Sequence, residues 1–166
     1  MGLRVSVAVM LYGLALCASA QSNLTPQQMH ELTQKYARAE GLCSNHGAGS
    51  TVAKEQCPRA AEYRERLSAA GSEPHEALSR LFDGCHRYGS AYLLAGTARD
   101  TRLAPEQALA NLRAEKWLKA NEKTLKDVVN TAYFEPWAVA LPAQMLARAV
   151  ENDCRYGPAA SWKPLR

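Results

Sequence analysis

The chain has 166 residues, a length typical of one domain. Its formal net charge is +4 and its Lys and Arg residues form no dense cluster, so the composition gives no support for a nucleic-acid partner. Hydrophobic residues make up 47% of the chain, but Ala contributes much of that share and Phe occurs only twice, which predicts a lean core.

Residues 1 to 20 are predicted to be a signal peptide. Arg4 gives the segment a positive start, residues 5 to 17 are largely apolar, and Ala18-Ser19-Ala20 places small residues where signal peptidase cleaves. Cleavage is therefore expected before Gln21, and the mature protein is expected to be periplasmic or secreted.

Other interpretations of these first residues are less favourable. A membrane anchor or a buried N-terminal helix is disfavoured because the apolar run ends in a cleavage pattern and is shorter than the roughly 20 residues that span a bilayer. A lipoprotein site at Cys17 is disfavoured because the residue before it, Leu16, is large. No stable membrane insertion is expected after cleavage.

Cleavage would also remove Cys17 and leave four cysteines, Cys43, Cys57, Cys85 and Cys154. An even number in an exported chain is typical of a disulfide framework, because an oxidising compartment preserves such bonds. Four cysteines allow three connectivities. We favour Cys43–Cys57, which closes a short loop rich in Gly and Ser, together with Cys85–Cys154, which joins a central helix to the last one.

The mature part, residues 21 to 158, is predicted to be a single all-α domain, a compact bundle of five or six short helices with two disulfides. Apolar residues recur at helical spacing, and no run alternates β-branched with polar residues, so no sheet is expected. Thr25-Pro26 opens the first helix, and Gly41 is expected to end it. A loop follows at residues 44 to 50, then a short turn, and a new helix is expected to begin at Pro58.

Pro74 opens the longest predicted helix, which carries Gly89 and Gly96 on one face. Gly within a helix costs up to about 1 kcal/mol relative to Ala, so two of them on one face indicate the close approach of another helix. Alternatively, Gly84 and Gly89 divide this segment into two helices. We favour the continuous helix.

The second half contains three more predicted helices. Pro105 opens one that is expected to end around residues 119 to 121, and Asn121 caps the next, which Pro136 ends. That helix has the clearest amphipathic pattern in the chain, with Leu125, Val128, Val129 and Ala132 on one face.

Pro142 starts the last predicted helix, and Gly157-Pro158 ends it. Residues 159 to 166 are predicted to be a loose C-terminal tail, with Trp162 available to dock on the body. The residues expected inside this helix are Met145, Leu146, Ala149 and Val150.

No pattern in the sequence indicates a catalytic, metal or cofactor site. The four histidines fall in no metal or haem motif, and the chain has neither a Gly-rich phosphate loop nor a G-x-S-x-G turn. Cys85 and His86 are adjacent, so on a helix their side chains diverge by about 100°, which opposes a nucleophile–base pair. Glu62 and Glu65 are interleaved with Arg, as on a solvated helix face.

Three aromatic residues are predicted to contact a partner protein: Trp137, Trp117 and Tyr133. Tyr133, Phe134 and Trp137 cluster around Pro136, and aromatic side chains on a turn are favoured anchors for protein partners. Phe134 is expected to close the end of the bundle instead, which leaves Trp137 as the favoured exposed contact.

The stretch from Cys85 to Cys154 resembles a group of small exported helical proteins of bacteria, most of which have no assigned activity. The shared features are a cysteine on a central helix, a Pro-opened segment at residues 103 to 109, a Val-Val-x-x-x-Tyr segment at residues 128 to 133, and a last helix that ends in cysteine. The chain is also similar to periplasmic immunity proteins of type VI secretion toxins, which are small, helical, disulfide-bonded and non-catalytic. Residues 25 to 70 lie outside the resemblance.

The expected function is therefore non-catalytic binding of an envelope or secreted protein, for example as an immunity or inhibitor protein against a toxin or a wall hydrolase. The alternative is a small-ligand or metal-binding protein with a pocket between helices lined by Tyr88, Tyr92 and a histidine. An enzyme of unfamiliar type would need a cleft with clustered titratable groups whose pKa values are shifted by burial.

Overall fold

The computed structural model describes residues 24 to 157, and these form seven helices and no strand. The all-α prediction is confirmed. The predicted signal peptide at residues 1 to 20 and the predicted tail at residues 159 to 166, with Trp162, lie outside the described residues. The helices are α1 (Pro26–Asn45), α2 (Thr51–Ala69), α3 (Pro74–Asp100), α4 (Pro105–Ala114), α5 (Glu122–Phe134), α6 (Pro136–Val139) and α7 (Ala143–Tyr156).

Helices α1 and α2 form a hairpin. The predicted end of the first helix at Gly41 and the predicted start of the second at Pro58 are both wrong. Helix α1 continues through Gly41 to Asn45, and α2 is one continuous helix that contains Pro58. It begins at Thr51 because the Ser50 side chain accepts a hydrogen bond from the Ala53 amide and caps the first turn. Pro58 is exposed, so the carbonyl group that loses its helical partner there can be solvated by water.

Helices α3 and α7 pack antiparallel, and the close approach predicted from the glycines of α3 is confirmed. A Cβ atom added at Gly96 would lie 3.0 Å from the Cα atom of Ala143, and one added at Gly89 would lie 3.0 Å from the Ala147 carbonyl oxygen. Helix α3 is continuous over 27 residues, as favoured from the sequence. The two glycines let the backbones of α3 and α7 approach where larger side chains would separate them.

The remaining helices pack on α3 and build the larger core. Asn121 caps α5 by accepting a hydrogen bond from the Thr124 amide, as predicted, whereas the preceding helix α4 already ends at Ala114. The predicted apolar face of α5 is buried against α3 and α4. The buried residues of this face are Leu125, Val128, Val129 and Ala132.

The chain between α5 and α7 contains the four-residue helix α6, which the sequence pattern did not predict. Because α6 turns the chain back on the bundle, Ala138 is buried there, and Phe134 is 65% exposed instead of closing the bundle as expected. Helix α7 buries Leu146 and Val150 as expected, but Met145 and Ala149 lie on its exposed face. The line of α7 that meets α3 is Ala143, Leu146, Ala147, Val150 and Cys154.

The disulfides are Cys43–Cys57 and Cys85–Cys154, the connectivity favoured from the sequence. The first joins α1 to α2, with 4.9 Å between the Cα atoms, and the second joins α3 to α7, with 5.5 Å. The Gln34 side chain of α1 donates a hydrogen bond to the Cys154 carbonyl oxygen, so the hairpin is attached to the α3–α7 pair next to the second disulfide. No helix within residues 24 to 157 is long and apolar enough to cross a membrane.

Candidate functional site

A pocket of about 530 Å³ opens between α3, α5, α6 and α7, and we call it the aromatic–acidic pocket. Each surrounding helix contributes at least one side chain, so the pocket exists only in the assembled bundle. Its lining residues are Tyr88, Tyr92, Thr124, Asp127, Val128, Thr131, Glu135, Trp137, Ala149, Val150 and Asp153.

Three aromatic rings form one part of the wall. Tyr88 and Tyr92 lie one turn apart on α3, with their ring centroids 5.2 Å apart and their planes at 82°, an edge-to-face pair. Their hydroxyl oxygens are 3.4 Å apart. Trp137 comes from α6 and is 50% exposed, so its indole ring remains accessible at the rim of the pocket.

Three carboxylates give the pocket its charge: Asp127 on α5, Asp153 on α7, and Glu135 between α5 and α6. Among the described residues, no Lys, Arg or His lines the pocket, and none of these three carboxylates belongs to an ion pair. The part of the pocket lined by residues 24 to 157 is therefore negatively charged, although the chain as a whole has a net charge of +4.

The Tyr88 hydroxyl remains protonated in this environment. Burial of the phenol raises its pKa well above the ordinary value, and the neighbouring Tyr92, Asp127 and Asp153 raise it further. The ring consequently offers an O–H group and a neutral π-face to the pocket, and its hydroxyl is not available as a base at neutral pH.

Arg99, near the end of α3, fixes the position of α6 and hence of Trp137. Its side chain is only 12% exposed and donates hydrogen bonds to the carbonyl oxygens of Ala132 at 2.9 Å, Ala138 at 2.8 Å and Leu141 at 2.6 Å. These carbonyl groups lie in the last turn of α5, in α6 and between α6 and α7, where helix ends leave carbonyl groups short of helical donors. This role is not apparent from the sequence, since a lone Arg near a helix end does not reveal which distant carbonyl groups it meets.

The three predicted partner contacts lie in different settings. Trp137 is on the rim of the pocket, whereas Trp117 and Tyr133 do not line it. Trp117 is 40% exposed in the α4–α5 loop, and its indole N–H donates to the Glu115 carboxylate. The Tyr133 hydroxyl donates to the Leu103 carbonyl oxygen at 2.9 Å and so attaches α5 to the α3–α4 loop. The structure thus brings Trp137 into the pocket without the other two.

A pocket with Tyr88 and Tyr92 was anticipated from the sequence, but the histidine expected beside them is not there. His30 lies in a separate depression between α1 and α3, and His86 lies next to Glu151, with 3.4 Å between Nδ1 and Oε1. The acidic residues on α5 and α7 take its place. Within residues 24 to 157, no three His, Cys, Asp or Glu side chains lie together in a group that could hold a metal ion.

The spacing of polar residues along the sequence could have predicted part of the acidic wall of the pocket. On α5 and at its C-terminal cap, the polar pocket residues recur at helical spacing and form a stripe beside the buried face. The members of this stripe are Thr124, Asp127, Thr131 and Glu135. That α7 places Asp153 opposite them depends on the α3–α7 packing, which the stripe itself does not reveal.

The chain matches no protein-family model, no curated protein and no solved structure in comparisons with each. Its function must therefore be inferred from the chemistry of the pocket.

Proposed function

We propose that this protein is a non-catalytic binding protein of an oxidising compartment outside the cytoplasm, and that the aromatic–acidic pocket is its binding site. The observation that carries the proposal is the combination, in one pocket of about 530 Å³, of three aromatic rings with three carboxylates that make no ion pair within the described residues. Small-molecule and side-chain sites are concave, partly apolar, and contain a few convergent polar groups.

The chemical groups of the pocket favour binding over catalysis. A site that acts through a side-chain nucleophile needs that group within hydrogen-bond reach of a base. Here the Tyr88 hydroxyl lies 3.4 Å from that of Tyr92, and burial raises the pKa of the Tyr88 phenol, so that it stays protonated. What the pocket offers a ligand is a set of carboxylate acceptors and aromatic surfaces.

Export is supported by the two disulfides and by the predicted signal peptide at residues 1 to 20. Disulfides persist in the periplasm or outside the cell, whereas cytosolic thiols are kept reduced. In the most concrete version of the proposal, the partner is a toxin or a wall hydrolase that this protein neutralises, in line with the resemblance to small periplasmic immunity proteins.

Site-specific photocrosslinking in cells that produce the protein tests the proposal. A photoreactive phenylalanine derivative at position 137 should form one defined covalent complex with a partner protein. The same residue at position 145 should not, because Met145 is 52% exposed, close to the 50% of Trp137, but does not line the pocket. Equal crosslinking at both positions, or none at position 137, would contradict a partner site at the pocket.

Binding of a free small molecule is the second candidate function. Its support is the pocket volume, which lies within the range of roughly 300–1,000 Å³ found for small-molecule sites. Thermal denaturation in the presence of small polar ligands separates the two candidates, because a ligand that binds only the folded state raises the melting temperature. An increase without any crosslinked protein would favour the small molecule.

A further inference from the structure

We propose that the aromatic–acidic pocket binds an organic cation, an alkylammonium or guanidinium group, between the carboxylates of Asp127 and Asp153 and the rings of Tyr88, Tyr92 and Trp137. This inference rests on the proposed function and adds the chemical class of the bound group. The group could belong to a basic side chain of a partner protein or to a free amine, and the relative affinities of amino-acid amides and a diamine distinguish these sources.

The charge of the wall is the first reason. Asp127 and Asp153 reach the pocket from two different helices, and no cation of the described residues lines it. Arg155 is only two positions from Asp153 on α7, but its guanidinium is paired with Glu151 and lies over the Phe82 ring, 4.9 Å from the centroid. Within residues 24 to 157, this nearby cation is thus directed elsewhere, and no ion pair involves either of the two pocket carboxylates.

The aromatic rings are the second reason. A cation within about 6 Å of an aromatic face is attracted by the ring quadrupole, and several rings around one site form the cages that recognise organic ammonium groups. Because Tyr88 and Tyr92 are perpendicular, they form a corner, and Trp137 approaches from a different helix. The protonated Tyr88 phenol keeps a neutral ring in this corner.

Size is the third reason, because it favours an organic cation over a metal ion. A volume of about 530 Å³ is far larger than a bare ion, and no three ligand side chains in residues 24 to 157 are grouped to coordinate one. An ammonium or guanidinium group with its alkyl chain fills more of this space and places methylene groups against the rings, as Lys and Arg side chains do elsewhere.

Fluorescence of Trp137 provides the measurement. The chain has three Trp residues, so the Trp117→Phe/Trp162→Phe variant leaves Trp137 as the only indole. The probes are N-acetyl-arginine amide and N-acetyl-lysine amide for a protein side chain, and putrescine for a free amine. N-acetyl-citrulline amide is the neutral control, because it has nearly the shape of the arginine probe without its charge.

We expect saturable changes in emission with the cationic probes and at least tenfold weaker binding of the citrulline probe. Asp127→Asn and Asp153→Asn should each weaken cation binding about tenfold, a loss typical of a charge-assisted contact. Asp83→Asn is the matched control on the exposed surface of α3 and should change affinity less than twofold. Tighter binding of the amino-acid amides than of putrescine assigns the site to a partner side chain, and the reverse order assigns it to a free amine.

The outcomes distinguish a failure of the cation inference from a failure of the proposed binding function. Equal binding of the citrulline and arginine probes would overturn the cation inference while leaving a binding pocket. No response to any probe, in a variant whose circular dichroism and melting temperature match the parent, would also overturn it, and the crosslinking at position 137 then decides the proposed function independently. Calorimetry on the unmodified chain repeats the comparison if the double Trp variant fails to fold.

Discussion

Arg99 and Asp100 are neighbours in sequence, and together they attach the end of α3 to the segment that carries Trp137. The Arg99 guanidinium bridges carbonyl oxygens at the ends of α5 and α6, while the Asp100 carboxylate accepts a hydrogen bond from the Ala143 amide at the start of α7, at 2.9 Å. The two side chains also pair with each other, at 2.7 Å between Nη2 and Oδ1. The pocket therefore depends on a polar junction that does not line it.

Replacing Arg99 should destabilise the protein and loosen Trp137. Arg99→Met keeps the alkyl stem but removes the side-chain donor to three partly buried carbonyl groups, so we expect a loss of about 2–4 kcal/mol in the free energy of unfolding. Urea denaturation followed by circular dichroism measures this loss. In the single-Trp background, the emission of Trp137 should shift towards that of a solvated indole.

The matched control for this change is Arg80→Met. Arg80 forms an exposed ion pair with Glu76 one turn away on α3, and such pairs contribute at most about 1 kcal/mol. Similar losses in the two variants would show that Arg99 does not hold the junction.

The glycines of α3 should respond to alanine with opposite signs. Gly84→Ala should stabilise the protein by about 0.5–1 kcal/mol, because an added Cβ meets no atom within 4 Å and Ala is the better helix former. Gly96→Ala should destabilise it by about 1–3 kcal/mol, because the added Cβ would press on the backbone of α7 at Ala143. Urea midpoints of the two variants check the signs, and stabilisation by both would mean that α3 and α7 are not in close contact.

The two disulfides should differ in their contribution to stability. Cysteine separations of 14 and 69 residues predict losses of about 3 kcal/mol for Cys43→Ala/Cys57→Ala and about 4 kcal/mol for Cys85→Ala/Cys154→Ala in the chain-entropy model. The second variant should lose more still, because both of its cysteines are buried in the core and their removal leaves a cavity. Equilibrium unfolding of both variants gives the order, and a larger loss for the first pair would contradict it.

Acidification should weaken the fold through His30. Burial lowers the pKa of its imidazole to about 4, from about 6.5 in the unfolded chain. The unfolded state therefore binds the proton more readily, so the contribution of neutral His30 is complete above pH 6.5 and is lost as the pH falls towards 4.

This effect is measured as the slope of unfolding free energy against pH between 6.5 and 4. His30→Gln removes the titrating group and should flatten that slope, whatever it does to stability at neutral pH. An unchanged slope in His30→Gln would mean that other groups cause the acid sensitivity.

The sequence predicted the packing correctly where the residue pattern of a single helix shows which of its faces is buried. The spacing of Gly89 and Gly96 indicated the close approach of another helix, which the structure identifies as α7, and the apolar stripe of α5 identified its buried face. Local signals failed at Gly41 and Pro58, because the caps and packing of the α1–α2 hairpin outweigh the preferences of single residues. The exposure of Phe134 followed from α6, a single turn too short to show a period.

Of the pocket, the tyrosines could be predicted from the sequence but the convergence of the carboxylates could not. Tyr88 and Tyr92 are one turn apart on a single helix, so their common position can be inferred from the sequence. Asp127 and Asp153 come from two different helices, α5 and α7, and their convergence depends on the arrangement of the whole bundle. A functional site formed by several helices is therefore defined by how those helices pack and not by the pattern of any one of them.

Recognition of a cation at the aromatic–acidic pocket can be located residue by residue with nitrogen-15 NMR of the purified protein. On titration with N-acetyl-arginine amide, the predicted result is saturable shifts that concentrate at Trp137, Tyr92, Asp127 and Asp153, with much smaller shifts for N-acetyl-citrulline amide. Shifts scattered over the surface, or the same shifts with both compounds, would show that the pocket does not select positive charge.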